Sequence, residues 1–214
     1  MNYATKDLGR VIGTQVEIDP AVLVDGSQGA DLRRLLEARG VLVFRRINLS
    51  DDQQVRVASS LGTVREEGKA GIFKVSLDPK ENANAEYLIG SFNWHMDGTH
   101  DDVPCLASLL SGRRLSPVGG QTEFANTYAA FEALPDTEKA YLSSLRVVHT
   151  LESSQRSVFR RQLKLRLRAG AGSRLKRTRW YGPIAPAASR SCSERTPRMS
   201  KGSNLQRAAQ LSNV

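Results

Sequence analysis

Cysteine is nearly missing from this sequence of 214 residues: only Cys105 and Cys192 occur. Two thiols cannot staple a small secreted domain, so a reducing, cytoplasmic setting is expected, with an apolar core holding the fold. Aromatic residues make up only 6% and histidines number three, so each histidine has to be weighed individually. No run of eighteen apolar residues occurs, so no membrane-spanning helix is expected. The opening Met1-Asn2-Tyr3-Ala4-Thr5-Lys6-Asp7 has no apolar run behind a basic start, which argues against a secretory signal. No internal repeat is visible. The length suits one domain, or slightly more, with room for a substantial core.

Charge is present but unevenly divided. The whole chain carries a net charge of +9. From Arg156 to Val214 there are 12 Arg and 3 Lys against a single acid, Glu194, a local charge of +14. Residues 1–155 therefore carry −5. A mildly acidic globular segment is joined to a strongly cationic one, and the two need separate explanations.

In the globular segment, Val11 to Asp19 has β-branched residues in partial alternation and reads as a strand ending at Pro20. Leu32, Leu35 and Leu36 lie at helical spacing between Asp31 and Arg39, and Gly40 follows where a left-handed cap belongs. Val41-Leu42-Val43-Phe44 is a short continuous apolar run, the mark of a strand buried on both faces. Ser50 with Gln53 forms a capping box, and Asp51 and Asp52 sit where the helix dipole favours acids. That helix should run to Leu61 and stop at Gly62. Ile72 to Leu77 alternates like a strand, and residues 79–84 read as a polar loop. Helical stretches are expected over Ala129–Leu134 and from Pro135 through Leu145. Strands and helices in this irregular order indicate an α+β protein.

The chemically informative stretch is Trp94-His95-Met96-Asp97-Gly98-Thr99. On an extended segment, positions two apart project to the same side, so His95 and Asp97 point together while Met96 points away. An imidazole and a carboxylate so placed are two of the three donors of a facial triad for non-haem Fe(II). A lone His-x-Asp is equally compatible with a hydrogen-bonded surface histidine. Further along, Pro117-Val118-Gly119-Gly120-Gln121-Thr122-Glu123-Phe124 pairs two glycines, which permit a tight turn or close ligand approach, with a hydroxyl suited to a carboxylate. A plain turn leading into a strand accounts for those residues as well. His149 can face a substrate anion or fill a packing role, and His100 is out of register with His95.

Together these segments resemble the TauD/TfdA family of Fe(II)- and 2-oxoglutarate-dependent dioxygenases. The resemblance is carried by Gly40-Val41-Leu42-Val43-Phe44-Arg45, Leu49-Ser50 with Gln53-Gln54, Trp94 to Thr99, Gly119 to Phe124 and Ala129 to Pro135. It runs in order over about Val11 to Val158. The herbicide-degrading branch looks closer than the taurine branch, because Thr122-Glu123-Phe124 follows the glycines. The resemblance implies a double-stranded β-helix (a cupin-like jelly roll) flanked by helices. It implies Fe(II) held by His95, Asp97 and a distal histidine, and 2-oxoglutarate bound with help from Thr122 and a C-terminal arginine that pairs with the far carboxylate. Dioxygen and a small organic anion would be the other reactants, with succinate and CO2 as products.

The pattern then breaks. No histidine follows His149, so no distal ligand is available. Residues 159–214 alternate basic and apolar positions and then become rich in Ser, Arg, Ala and Gly, a composition expected to be disordered. The genetic code offers an explanation. Codons for Arg179 to Ala185, reread from each third base, can encode Leu-Val-Trp/Arg-Thr-His-Arg, the sequence usual in the resembled family at that point. Continuing through Ser189 permits Ser-Gly-Arg-Lys. The expected organisation is thus residues 1–158 as the N-terminal part of the dioxygenase domain, followed by a tail over 159–214 produced by truncation or a frameshift near Phe159.

A dioxygenase by descent, inactive or weak in this form, is the resulting expectation. A nucleic-acid arm built on the Arg-rich tail is the weaker reading, since the tail has few aromatics for stacking, such as Trp180 and Tyr181, and no RNA-binding motif. A non-catalytic cupin-like binding module is the third. Composition leaves a homo-oligomer open.

Overall fold

The computed structural model describes residues 2–65, 70–82, 85–88, 92–99, 101, 103–149, 178–179 and 207–212. The chain divides into two compact units. The first comprises Met1–Phe73, Leu106–Ala133 and Leu205–Val214, and the second Lys74–Cys105 and Leu134–Asn204.

The first unit is built on a mixed sheet of five strands: β1 (Tyr3–Asp7), β2 (Thr14–Ile18), β3 (Val41–Arg45), β4 (Ala107–Ser111) and β7 (Arg207–Ser212). Their order is β1-β2-β3-β7-β4; β1 and β2 are antiparallel, and every other pairing is parallel. Helices α1 (Pro20–Asp25), α2 (Gly29–Arg39), α3 (Asp51–Leu61) and α5 (Thr127–Glu132) complete it.

Local chemistry explains most of these boundaries. The alternation beginning at Val11 becomes strand only from Thr14, because Gly13 with φ 86° turns the chain. Pro20, read as a strand terminator, also opens α1: its fixed φ suits a first helical position, and the Asp19 carboxylate accepts from the Ala21 N–H at 2.7 Å. Helix α2 ends on Gly40, with φ 72°, whose N–H donates to the Leu36 carbonyl. The capping box on α3 is formed in both directions, Gln53 N–H to Ser50 Oγ at 3.2 Å and Ser50 N–H to Gln53 Oε1 at 2.8 Å. Strand β3 buries Val41, Leu42 and Phe44, in keeping with its unbroken apolar run. With Val16, Leu23, Leu32, Leu36, Ile47, Leu49 and Val57, Leu42 and Phe44 form the core. At full burial each such side chain contributes about 1.5–3 kcal/mol.

The second unit holds α4 (Ala85–Leu88), α6 (Asp136–Ser144) and a short antiparallel pair, β5 (Val148–His149) with β6 (Thr178–Arg179).

One expectation needs correction. The alternating segment Ile72–Leu77 forms no strand: residues 73–76 are irregular, and Phe73, Val75 and Leu77 are each more than half exposed. Ile72 makes an isolated bridge, but alternation by itself does not extend that pairing into a ladder. Strand β1 has no apolar signature because it is an edge strand, largely exposed. The described strands trace one open mixed sheet and a two-stranded ladder, and do not trace a double-stranded β-helix. Within the cationic tail, Thr178–Arg179 and Arg207–Ser212 are strands; the rest of 159–214, with Cys192, lies outside the described residues, as does His100.

Candidate metal site

The second unit contains the His95–Asp97 pair. Residues 94–96 are irregular and 97–99 form a turn. His95 Nε2 lies 3.1 Å from Asp97 Oδ1, so the two side chains converge as the i, i+2 spacing anticipates. The other imidazole nitrogen, Nδ1, lies 2.7 Å from the Asn93 carbonyl oxygen. A carbonyl only accepts, so the proton of that bond belongs to Nδ1. In the neutral ring this leaves the Nε2 lone pair facing the carboxylate side, the tautomer in which histidine serves as a metal ligand.

In the absence of metal the same contact favours the imidazolium. The hydrogen bond to Asp97 is the largest influence and raises the His95 pKa; burial opposes it, while the Asn93 carbonyl and the Asp97 charge add to the rise. The side chains are 45% and 53% exposed, so water screens the pair and its value as an ion pair is small. At 3.1 Å the contact is an ordinary hydrogen bond between an imidazole nitrogen and a carboxylate oxygen, two atom types that a metal can also take as donors. Among the described residues, however, no group of three or more His, Cys, Asp or Glu side chains is placed to hold a metal. The described residues thus bring together two candidate donors and no third.

The turn after Asp97 escaped the sequence reading, although Asp-Gly is a turn signal. Gly98 has φ 67°, and the Asp101 N–H donates to its carbonyl at 3.0 Å. Asn93 acts through its backbone, and nothing in its side chain marks that role.

Thr122 lies in the first unit, exposed, in an irregular stretch. Gly119 and Gly120 before it have φ 74° and 78°, in the left-handed region that glycine adopts without strain. His149 is half-buried on β5, opposite Thr178 of β6. No helix among the described residues is long and apolar enough to cross a membrane.

A family model described as taurine catabolism dioxygenase TauD, TfdA family matches residues 4–202. The alpha-ketoglutarate-dependent 2,4-dichlorophenoxyacetate dioxygenase of Cupriavidus pinatubonensis is 32% identical over 153 residues, covering 62% of this chain and 53% of the relative. The (S)-phenoxypropionate/alpha-ketoglutarate-dioxygenase of Delftia acidovorans is 27% identical over 158 residues, covering 69% and 54%. The chain thus spans about half the length of these curated relatives. The crystal structure of AAD-2 in complex with Mn(II) and N-oxalylglycine matches with a TM-score of 0.65 and 26% identity, over 85% of this chain and 63% of that one.

Proposed function

The chain belongs to the TauD/TfdA dioxygenase family, and from that premise we propose that His95 and Asp97 hold Fe(II) for a 2-oxoglutarate-dependent hydroxylation of a small organic anion. The observation that carries this reading is the 3.1 Å approach of His95 Nε2 to Asp97 Oδ1, with Nδ1 tied to the Asn93 carbonyl. The donor set, one nitrogen and one carboxylate oxygen, is that of a facial triad lacking its third member. Bound iron would supply dioxygen activation: one oxygen atom enters a C–H bond as hydroxyl, the other enters succinate, and CO2 leaves.

The chain's own residues have narrower tasks. The Asn93 carbonyl keeps His95 in its ligating tautomer. The Asp97 carboxylate offsets part of the metal charge. The Thr122 hydroxyl donates to a carboxylate oxygen of 2-oxoglutarate beside the Gly119–Gly120 turn. An aryloxyalkanoate is the favoured substrate class and a sulfonate the next, a choice supported by relatives named for 2,4-dichlorophenoxyacetate, (S)-phenoxypropionate and sulfonate. The fold that accompanies this reading is an incomplete double-stranded β-helix.

Two donors without a third hold iron weakly, so slow turnover or none is expected. The test is an anaerobic Fe(II) titration of the full chain, followed by succinate measurement with 2-oxoglutarate and 2,4-dichlorophenoxyacetate. His95→Ala and Asp97→Ala should each abolish the remaining iron binding. Iron loading that survives both substitutions overturns the proposal.

A further inference from the structure

The turn behind the metal pair is packed from outside. A Cβ built on Gly98 would lie 3.1 Å from Asp101 Oδ2, 3.5 Å from the Cys105 backbone nitrogen and 3.6 Å from Cys105 Sγ. Its φ of 67° lies in the region L side chains adopt only with strain, and the Asp101 N–H closes the turn on the Gly98 carbonyl at 3.0 Å. Both constraints act on the residue directly after Asp97. An aspartate side chain is short, so the direction of its carboxylate is set mainly by the backbone that carries it.

We propose that Gly98 is a positioning residue for Asp97: its left-handed turn, held against Asp101 and Cys105, keeps the carboxylate beside the imidazole of His95. The inference rests on the metal-site reading for its consequence, but the juxtaposition itself exists without metal. Two observations support it: the left-handed backbone at Gly98, and the Asp101 carboxylate oxygen 3.1 Å from where a Cβ would sit, the Cys105 contacts being ordinary van der Waals distances. Gly13 offers a contrast: its φ is 86°, yet an added Cβ meets only Leu8 Cβ at an ordinary 3.6 Å, within the other unit.

The experiment compares the full chain with Gly98→Ala, Gly98→Asn and Gly13→Ala. Two readouts are used: Mn(II) affinity by electron paramagnetic resonance, and NOEs between the His95 ring and the Asp97 Cβ protons in metal-free protein. Gly98→Ala should weaken Mn(II) binding by roughly tenfold to a hundredfold, the range seen when groups supporting a metal ligand are removed. It should also lose the NOEs. Gly98→Asn should fall between, because Asn tolerates the left-handed region but still carries the Cβ. Gly13→Ala should change neither readout while lowering the unfolding midpoint. Circular dichroism shows whether each variant is folded, and Gly98→Asn carries the test if Gly98→Ala is not. A folded Gly98→Ala chain that keeps the NOEs and binds Mn(II) within about twofold of the parent overturns the proposal. If the parent binds no Mn(II), the metal reading falls, and the NOE comparison alone decides the role of Gly98.

Discussion

The Nδ1 of His95 is tied to the carbonyl of Asn93 at 2.7 Å, two residues before it in the chain. This bond fixes which nitrogen faces Asp97, and with it the proton economy of the site. A metal at Nε2 has to displace the proton that Asp97 helps to retain there.

That competition gives the site a pH dependence. The hydrogen bond to Asp97 is the leading cause of a His95 pKa above the ordinary imidazole range. A raised folded-state value means that protonation favours the folded chain. The small stabilisation is complete below the unfolded pKa and is lost as pH rises through the native one. Metal affinity runs the other way, weakening as pH falls through the raised native value. Mn(II) titrations at a series of pH values should show this, with the His95 ring shifts titrating in parallel in metal-free protein. Affinity that is flat with pH would remove His95 from the coordination sphere.

A second prediction concerns Arg39, whose side chain is largely buried. Its Nε donates to Thr14 Oγ1 at 2.9 Å, and its Nη2 donates to the carbonyls of Gly9 at 2.7 Å and Gly13 at 3.2 Å. Thr14, fully buried, donates a hydrogen bond from its hydroxyl to Asp7 Oδ1 at 2.6 Å. The guanidinium thus clamps the β1–β2 connection onto the end of α2. Arg39→Ala removes the donor to the Thr14 hydroxyl and to the Gly9 carbonyl, while the Gly13 carbonyl keeps the Leu8 N–H at 3.0 Å, and should cost about 2–3 kcal/mol in urea unfolding. Arg39→Lys, which keeps the charge but not the planar fork, should recover only part of this.

Ser50→Ala tests the cap of α3. It removes the acceptor for the Gln53 N–H and should lower stability by about 1 kcal/mol. Leu42→Ala, at a position 1% exposed in the central strand, should cost about 2–5 kcal/mol. Thermal melts of the two variants are expected to fall in that order. Equal effects would mean that β3 does not sit in the main core.

The cationic tail carries a prediction about the gene. Read in the frame that starts on each third base, the codons for Arg179 to Ser189 are expected to spell Leu-Val-Trp/Arg-Thr-His-Arg-Ser-Gly-Arg-Lys. Determining the coding DNA checks this directly. A shifted frame without histidine at the Pro183 codon ends the frameshift proposal.

Much of the architecture was legible along the chain because it rests on local rules. The cap residues Ser50 and Gln53, the terminating Gly40 and the apolar run Val41–Phe44 act over four or five positions, and the structure retains each. The i, i+2 spacing of His95 and Asp97 was legible for the same reason. Where a strand depends on partners, the sequence was a poor guide. Ile72–Leu77 alternates but, beyond a single bridge at Ile72, forms no strand among the described residues, whereas the exposed β1 pairs with β2 despite its polar face. Pro20 closes one element and opens another, and that required Asp19 to be seen as a cap.

By itself, then, the amino-acid order determined the family, the early helices and the central strand, and which two side chains are the metal-binding candidates. Only the tertiary structure decided that Asn93 orients the imidazole, that Gly98 turns the chain against Asp101 and Cys105, and that Arg207–Ser212 lies between β3 and β4. The division has a physical cause. Caps, turns and periodicity are written in side chains a few bonds apart, whereas sheet order and backbone hydrogen bonds at a site depend on where distant backbone comes to rest.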